Sequence, residues 1–418
     1  MKARSPGEVR EDEAKMALGG SPKSTALLEH GREGLLLPTS TDRSPRETMR
    51  SLPGLVQPLL TALTGRPLRD EKPLVRWSGT GRAASVLLLF VLSIAGSAVL
   101  ISGPAWAWLF LPLTVLLTAG AARAIQTGIV HHASHKNLTG IKWLDRLIGE
   151  VSSASVFILS LREYARLHPL HHGKTSTKDD PDFQFVVGFG FRPGMTQSAL
   201  WQQLWRTLFG WRFHAAYALS RIRSNFVTAT WPRRLLSIFF AGGLLSGAAA
   251  TGMWLELVVA YALPVGVLFQ IAGLLQTLTE HQWVWVASEV KTRKALMGEL
   301  TFGRYCGEPM PTLVWSNWRE LSYWALRMLL VHFVVRVLVL QLDLPNHPFH
   351  HRFPQGDWAN ATFAQRDDEL SGEGAWGPYR ETWGLRDAIA HNFRLLASLP
   401  PDAQPGDALT SLDRFAGM

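Results

Sequence analysis

The stretch AASVLLLFVLSIAGSAVLISGPAWAWLFLPLTVLLTAGAA, residues 83–122, runs for 40 residues without one charged side chain. Gly103-Pro104 interrupts it near the middle, a pair that ends helices and makes turns. Each half is then about 20 residues, enough to cross the roughly 30 Å apolar core of a bilayer at about 1.5 Å per residue. That is the pattern of a transmembrane hairpin. A second tract, Leu235 to Thr279, has Glu256 as its only charge and divides in the same way around Thr251-Gly252. The fold expected is therefore an all-α integral membrane protein with four transmembrane helices in two hairpins.

Composition agrees with that reading. The chain is 47% hydrophobic and only 18% charged, where a soluble domain carries roughly a quarter. A disordered or fibrous protein is excluded. Its one cysteine, Cys306, permits no intramolecular disulfide, no CxxC redox pair and no cysteine-ligated zinc or iron-sulfur cluster. The alternative of buried helices in a large soluble protein would need two such uncharged doublets, which soluble cores seldom contain.

Orientation comes from the basic residues. Arg76, Arg82, Arg123, Lys136, Arg233, Arg234, Lys291, Arg293 and Lys294 flank the outer ends of the tracts, and the two hairpin tips carry no Lys or Arg. By the positive-inside rule the termini and large loops are cytoplasmic, in an inner or plasma membrane. These flanks also account for the net charge of +9 through anionic headgroups. Nucleic-acid binding is not indicated, because no binding motif is present and the aromatics sit in apolar tracts.

Residues 1–75, rich in Gly, Pro, Ser and charge and without a secretory apolar core, read as a disordered cytoplasmic tail. Within it Leu52 to Leu63 forms a short interfacial helix. Residues 76–365 make the membrane domain, and 366–418 a cytoplasmic C-terminal tail with one helix near Leu385 to Leu396. Leu147–Leu161 and Leu321–Leu340 read as helices lying at the interface. Reading the second as a fifth span would place Arg327 and Arg336 in the bilayer at about 2.5 to 3.5 kcal/mol each.

The chemistry lies in the histidines. His131-His132-Ala133-Ser134-His135 follows the second tract, with His131 and His135 on one helix face. Downstream come His168-Pro169-Leu170-His171-His172 and His347-Pro348-Phe349-His350-His351. With 14 His in 418 residues, HxxHH arises by chance about 0.015 times per chain, so two copies are a signal. Imidazole is the commonest neutral metal ligand, and spacings of three and four aim several nitrogens at one point. Eight such histidines exceed the needs of one ion, and two metals are the natural count.

His281 in Glu280-His281-Gln282-Trp283 is a ninth candidate, placed where the fourth span re-enters the same side. The proline after His168 and after His347 suits a helix start or kink. His132 points off the His131–His135 face and reads as a hydrogen-bonding supporter. Asp179, Asp180 and Asp182 after the second box, Glu280 before His281 and Asp357 after the third are carboxylates that can receive a ligand imidazole's other N–H. Asn346 reads as a helix cap or a holder of metal-bound water, and the remaining histidines, His30, His214, His332 and His391, as isolated surface or interfacial residues.

Taken together, these residues resemble the membrane-bound fatty acid desaturase and hydroxylase superfamily, marked by three histidine boxes on one side of four spans. His131–His135 is similar to its HxxxH box, HPLHHGKTSTKDDPD (residues 168–182) to its HxxHH box with trailing Asp-Pro-Asp, and NHPFHHRFP (residues 346–354) to its third. The resemblance covers about residues 80–360. It implies a cytoplasmic helical cap carrying the boxes, and two non-haem irons held by His131, His135, His168, His171, His172, His347, His350 and His351. His281 resembles the extra histidine of alkane monooxygenases.

The implied reaction uses O2 and two electrons to remove hydrogen from an unactivated carbon, giving an alkene or an alcohol. A fatty acid (acyl-lipid) desaturase is expected, with a hydroxylase or monooxygenase of an acyl chain, alkane or terpenoid lipid as the alternative. No HPGG haem motif or CxxC pair is present, so electrons come from a separate ferredoxin, rubredoxin or similar donor. His132 stands where the family often has an acid, which alters the hydrogen bonds around the first box. A non-catalytic metal-binding or transport protein is the remaining class, but transporters place ligands within their spans, and these spans hold almost none.

Overall fold

Runs of Leu, Val, Ala and Phe with no wet face form helices that are apolar all round, and local chemistry sets where each begins and stops. The computed structural model describes residues 37–39, 44–283, 292–372 and 374–401. The body of the protein begins at Thr39. Lys291 and the tail beyond 401 lie outside the described residues, as does His30.

In chain order the helices are α1 (Gln57–Thr64), α2 (Gly79–Ser102), α3 (Ala105–Ser134), α4 (Lys142–Ser155), α5 (Leu161–Lys174), α6 (Pro181–Gly188), α7 (Gln197–Phe209), α8 (Trp211–Ile222), α9 (Trp231–Thr251) and α10 (Trp254–Glu280). They continue with α11 (Arg293–Leu300), α12 (Trp315–Leu338), α13 (His347–Arg352), α14 (Ala361–Ser371) and α15 (Leu385–Ser398). Two short strands, β1 (Gly303–Tyr305) and β2 (Glu381–Trp383), pair in parallel with Gly303 opposite Glu381.

Both hairpins are present. Ser78 opens α2 by accepting the Gly81 amide on its hydroxyl, and Gly103 closes it. Gly252, left-handed at φ +74°, ends α9. α3 and α10 run past the apolar tracts into the site, and each contains a stretch of wider i→i+5 turn, Ile125–Val130 and Leu257–Leu268. Pro264 lies within the second and cannot donate an amide to the regular ladder. Trp106, Trp108 and Trp254 near the hairpin tips are half-exposed or more, as suits anchoring at a headgroup layer.

Among the described residues five helices, one more than expected, are long and apolar enough to cross a membrane. They make this a multi-pass membrane protein. The additional one is α12, expected as an interfacial helix. It packs closely on α3: a β-carbon on Gly120 would come within 2.3 Å of the Val337 carbonyl oxygen. The chain before and after it is tethered together, since Cys306 upstream and Val339, Leu340 and Leu344 downstream share one buried cluster. Between them Glu308 accepts from Arg327 Nε at 2.8 Å and its carbonyl from Trp324 Nε1 at 3.1 Å, so residues 306–314 run out beside the helix by which the chain returns.

The tails expected at each end are partly built into the body. Residues 1–36 and 40–43 lie outside the described part, but from Ser44 the chain is ordered around Arg46, fully buried and bonded to Gln57, Thr61 and Glu71. Arg66 then reaches Glu369 on α14 at 2.7 and 2.6 Å. The short helix expected over Leu52–Leu63 is α1, preceded by a 3₁₀ turn at Gly54–Val56. At the other end α15 buries Ile389, Phe393 and Leu396, and Asn392 donates to the Leu278 carbonyl of α10 at 2.9 Å. Residues 366–401 are therefore no free tail; compositional polarity hid an amphipathic helix and a strand pairing.

Candidate metal centre

Each histidine box sits on a helix that fixes which way its rings point. His131 to Ser134 continue α3. The second box lies within α5, opened by Ser160 accepting the Glu163 amide, with Pro169 inside the helix. Pro348 stands in the first turn of α13, a position where its missing N–H costs nothing. His281 follows α10 and is extended, pairing with Thr301.

Nine imidazoles converge in two groups. His131, His135, His168, His172 and His350 have ligand nitrogens all within 4.8 Å of one another, and so do His171, His281, His347 and His351. The repeated HxxHH is thus divided twice, in opposite senses. On α5 the i, i+4 pair His168 and His172 serves the first group and His171 the second; on α13 the pair His347 and His351 serves the second and His350 the first. All nine expected ligands are brought together, and seven are buried, with His135 and His172 half-buried.

The spacing fits metal ions. Nε2 to Nε2 separations are 2.8 Å for His131 and His350, 2.9 Å for His135 and His168, and 2.9 Å for His172 and His168. In the second group they are 3.0 Å for His281 and His171, 3.3 Å for His347 and His281, and 3.0 Å for His351 and His347. Ligands about 2.1 Å from a shared ion lie about 3.0 Å apart at right angles and about 3.4 Å apart in a tetrahedron. The observed separations are the edges of such polyhedra. Neutral rings meeting Nε2 to Nε2 cannot all be satisfied by one another's protons, whereas a cation takes every lone pair.

Protonation favours the same outcome. Burial, then neighbouring imidazoles, holds His168, His281, His347, His350 and His351 well below the ordinary histidine range. Burial lowers His135 to about 4 and His172 to about 2. Neutral imidazole is the form that binds a metal. His171 is the exception: burial would lower it, but Asp182 and Asp180 beside its ring raise it to about 10.

The supporting groups differ in part from those read in sequence. Asp180, not Asp179, meets His171, its Oδ1 lying 3.0 Å from Nδ1. It is fully buried as the cap of α6, accepting from the Asp182 and Ser176 amides, while Asp179 is exposed and touches no imidazole of the site. The residue before Pro181 is the natural cap, and that signal separates the two aspartates. Asp182 does lie near His171, at 3.3 Å, and Glu280 lies 3.3 Å from His347 Nε2.

His132 supports the site as expected: Nε2 is 3.1 Å from Asp343, which sequence reasoning missed, and its ring stacks on Trp358 at 4.2 Å. Asn346 makes no side-chain cap and instead accepts from Thr362. Asp357 accepts from Asn360, away from the boxes. Tyr164, also missed, places its hydroxyl 3.3 Å from His131 Nδ1. His332 and His391 are buried, although isolated histidines suggest surface positions.

A cavity of about 430 Å³ opens beside His131, His168 and Glu280. Phe185, Phe189 and Phe269 give it apolar walls, but Arg123 and Arg221 line it too. Trp283 is fully buried behind His281, at 5.4 Å between ring centres.

Residues 106–383 match the sequence profile described as fatty acid desaturase. The chain belongs to the fatty acid desaturase family. Among curated proteins none matches it in a direct sequence comparison. Membership makes this desaturase-family protein a membrane-associated oxidoreductase with a lipid substrate, and it agrees with the apolar helices and histidine groups described above.

Proposed function

We propose that the protein is an O2-dependent di-iron desaturase that introduces a double bond into an acyl chain. The observation that carries this reading is the division of nine histidines into groups of five and four around two points, the first of which borders a cavity through His131 and His168. When bound, two irons supply the activation of O2 needed to take hydrogen from an unactivated carbon. His131, His135, His168, His172 and His350 would hold one ion, and His171, His281, His347 and His351 the other.

The chain's own contribution is orientation and access. Asp180 fixes the His171 ring by receiving the Nδ1 proton, which leaves Nε2 directed at the second group. The cavity holds the substrate in place against His131 and His168, and position selects the carbon attacked. Electrons come from a separate ferredoxin or rubredoxin-type donor.

We read α2, α3, α9 and α10 as the four spans. The shared burial of Cys306 and Leu340 supports an in-plane α12, because a chain that leaves and returns on one side does not cross. Its Trp315, Trp318, Tyr323, Leu326 and Leu330 are exposed, a face suited to lipid. The site and both ends of the body then lie on the cytoplasmic side.

Metal analysis of the detergent-purified protein tests the reading, together with a His171→Ala, His350→Ala double variant that removes one ligand from each group. About two irons per chain, lost in the variant, is the expected result; one zinc or no metal overturns it. Product mass then decides the reaction, with loss of two hydrogens for desaturation and gain of one oxygen for hydroxylation.

A further inference from the structure

The cavity holds two cations, Arg123 and Arg221, that make no direct ion pair among the described residues, although Asp182 and Glu280 line it too. Arg123 is 4% exposed, and its guanidinium meets only the amide oxygens of Gln126, at 2.6 Å, and Gln276. Its Nε is buried with no hydrogen-bond partner. Arg221 donates from Nη1 to the Val265 carbonyl at 2.5 Å, and its buried Nη2 has no partner. The two guanidinium carbons lie 4.7 and 4.5 Å from the centre of the same Phe269 ring. Among the described residues neither arginine forms a salt bridge.

A guanidinium carries five donors, so most of these ten N–H groups are uncommitted to the protein. Taking an unpaired cation out of water is costly, and membrane proteins keep such residues where a substrate or ion needs them. Nearby sequence clears space for the charge: a β-carbon on Gly273 would stand 3.4 Å from Arg123 Nη1 and 3.3 Å from the Tyr217 hydroxyl. The ester or thioester carbonyl at the end of an acyl chain carries no charge of its own to match this.

We propose that the substrate is an unesterified carboxylate, held by Arg123 and Arg221 with its apolar body against the phenylalanines. This rests on the desaturase reading and narrows its substrate class. It also fixes where oxidation falls. Gln276 accepts from Arg123 and donates to Glu280 at 3.2 Å, and Glu280 lies 3.3 Å from His347, so the anion site is within one helical turn and two contacts of the imidazoles. That is on the order of 10 Å. The carbon attacked is accordingly counted from the acid end.

Binding to the full chain in nanodiscs tests this without turnover, using dodecanoate, methyl dodecanoate, dodecanol and dodecyl phosphate as probes by calorimetry, with iron content measured on the same samples. Dodecanoate is expected to bind at least about tenfold more tightly than its ester. In an Arg123→Gln, Arg221→Gln double variant that preference collapses while ester affinity persists. Equal binding of acid and ester by the unaltered protein overturns the proposal, as does a preference that survives in the double variant. Tighter binding of dodecyl phosphate than of dodecanoate overturns the carboxylate assignment. Because the ligand series needs no variant, misfolding of the arginine substitutions does not shield the proposal. Two irons retained with no acid preference sinks this inference alone, whereas absence of iron sinks the desaturase reading.

Discussion

The five-histidine group and the four-histidine group are built from the same boxes but stand in different surroundings. Around the four, Asp180 and Asp182 lie within 3.3 Å of His171, and Glu280 lies at the same distance from His347. The five have Tyr164 against His131, and Asp343, bonded to His132, lies within 4.8 Å of a His350 nitrogen. One centre therefore has acids within 3.3 Å of two of its rings, while the other faces the cavity through His131 and His168 and meets acids only at longer range. An ion among neutral imidazoles keeps its full positive charge and coordination freedom. On the proposed di-iron reading, the difference teaches that the two ions need not be equally tightly held, nor equally close to substrate.

The widest test of this contrast removes one ligand from each group in turn. His350→Ala and His351→Ala are each expected to lose about one iron per chain and nearly all turnover, because both ions are needed for reaction. Loss of both irons from either variant, read by elemental analysis, would join the groups into one unit. Next, Asp180→Asn should lower affinity at the four-histidine centre by about 10 to 100-fold, leaving the other iron in place, measured by chelator titration. Glu280→Gln should weaken the same centre by about tenfold at most, since its neighbours at His171 remain. Smallest of all, Tyr164→Phe should change iron affinity by less than about tenfold, because 3.3 Å is a long hydrogen bond. A Tyr164 effect larger than that of Asp180 would reverse the comparison.

Much of this was legible in the sequence, for physical reasons that also mark the limit. Two uncharged tracts broken by Gly-Pro and Thr-Gly must become hairpins, and HxxHH must aim several nitrogens from one helix. His281 was placed by following the fourth tract to its end. What spacing cannot say is which centre each face of α5 or α13 addresses, since that depends on how three distant segments meet. The shared burial of Cys306 with Val339 and Leu340, on either side of α12 in the chain, is likewise a tertiary fact.

Arg123 shows a different kind of miss. As the first charge after an apolar tract it reads as a topological flank, yet it lies deep in the fold. The seven uncharged residues between it and His131 signal that the helix continues past it. Asp343 and Arg221 had no motif to flag them, and only packing against His132 and Phe269 gives them a role.

The way the boxes are shared between the two groups has a consequence for how the protein is made. The five-histidine group takes residues from α3, α5 and α13, and the four-histidine group from α5, the end of α10 and α13. The first group is not complete until residue 350, nor the second until residue 351, has been synthesised and the last segment has closed over the first. A chain emerging N-terminal end first therefore passes most of its synthesis with no full binding site to trap a metal ion. On the proposed two-metal reading, loading of both ions is tied to the final long-range closure, so a misassembled chain would be recognisable to the cell by its failure to retain metal.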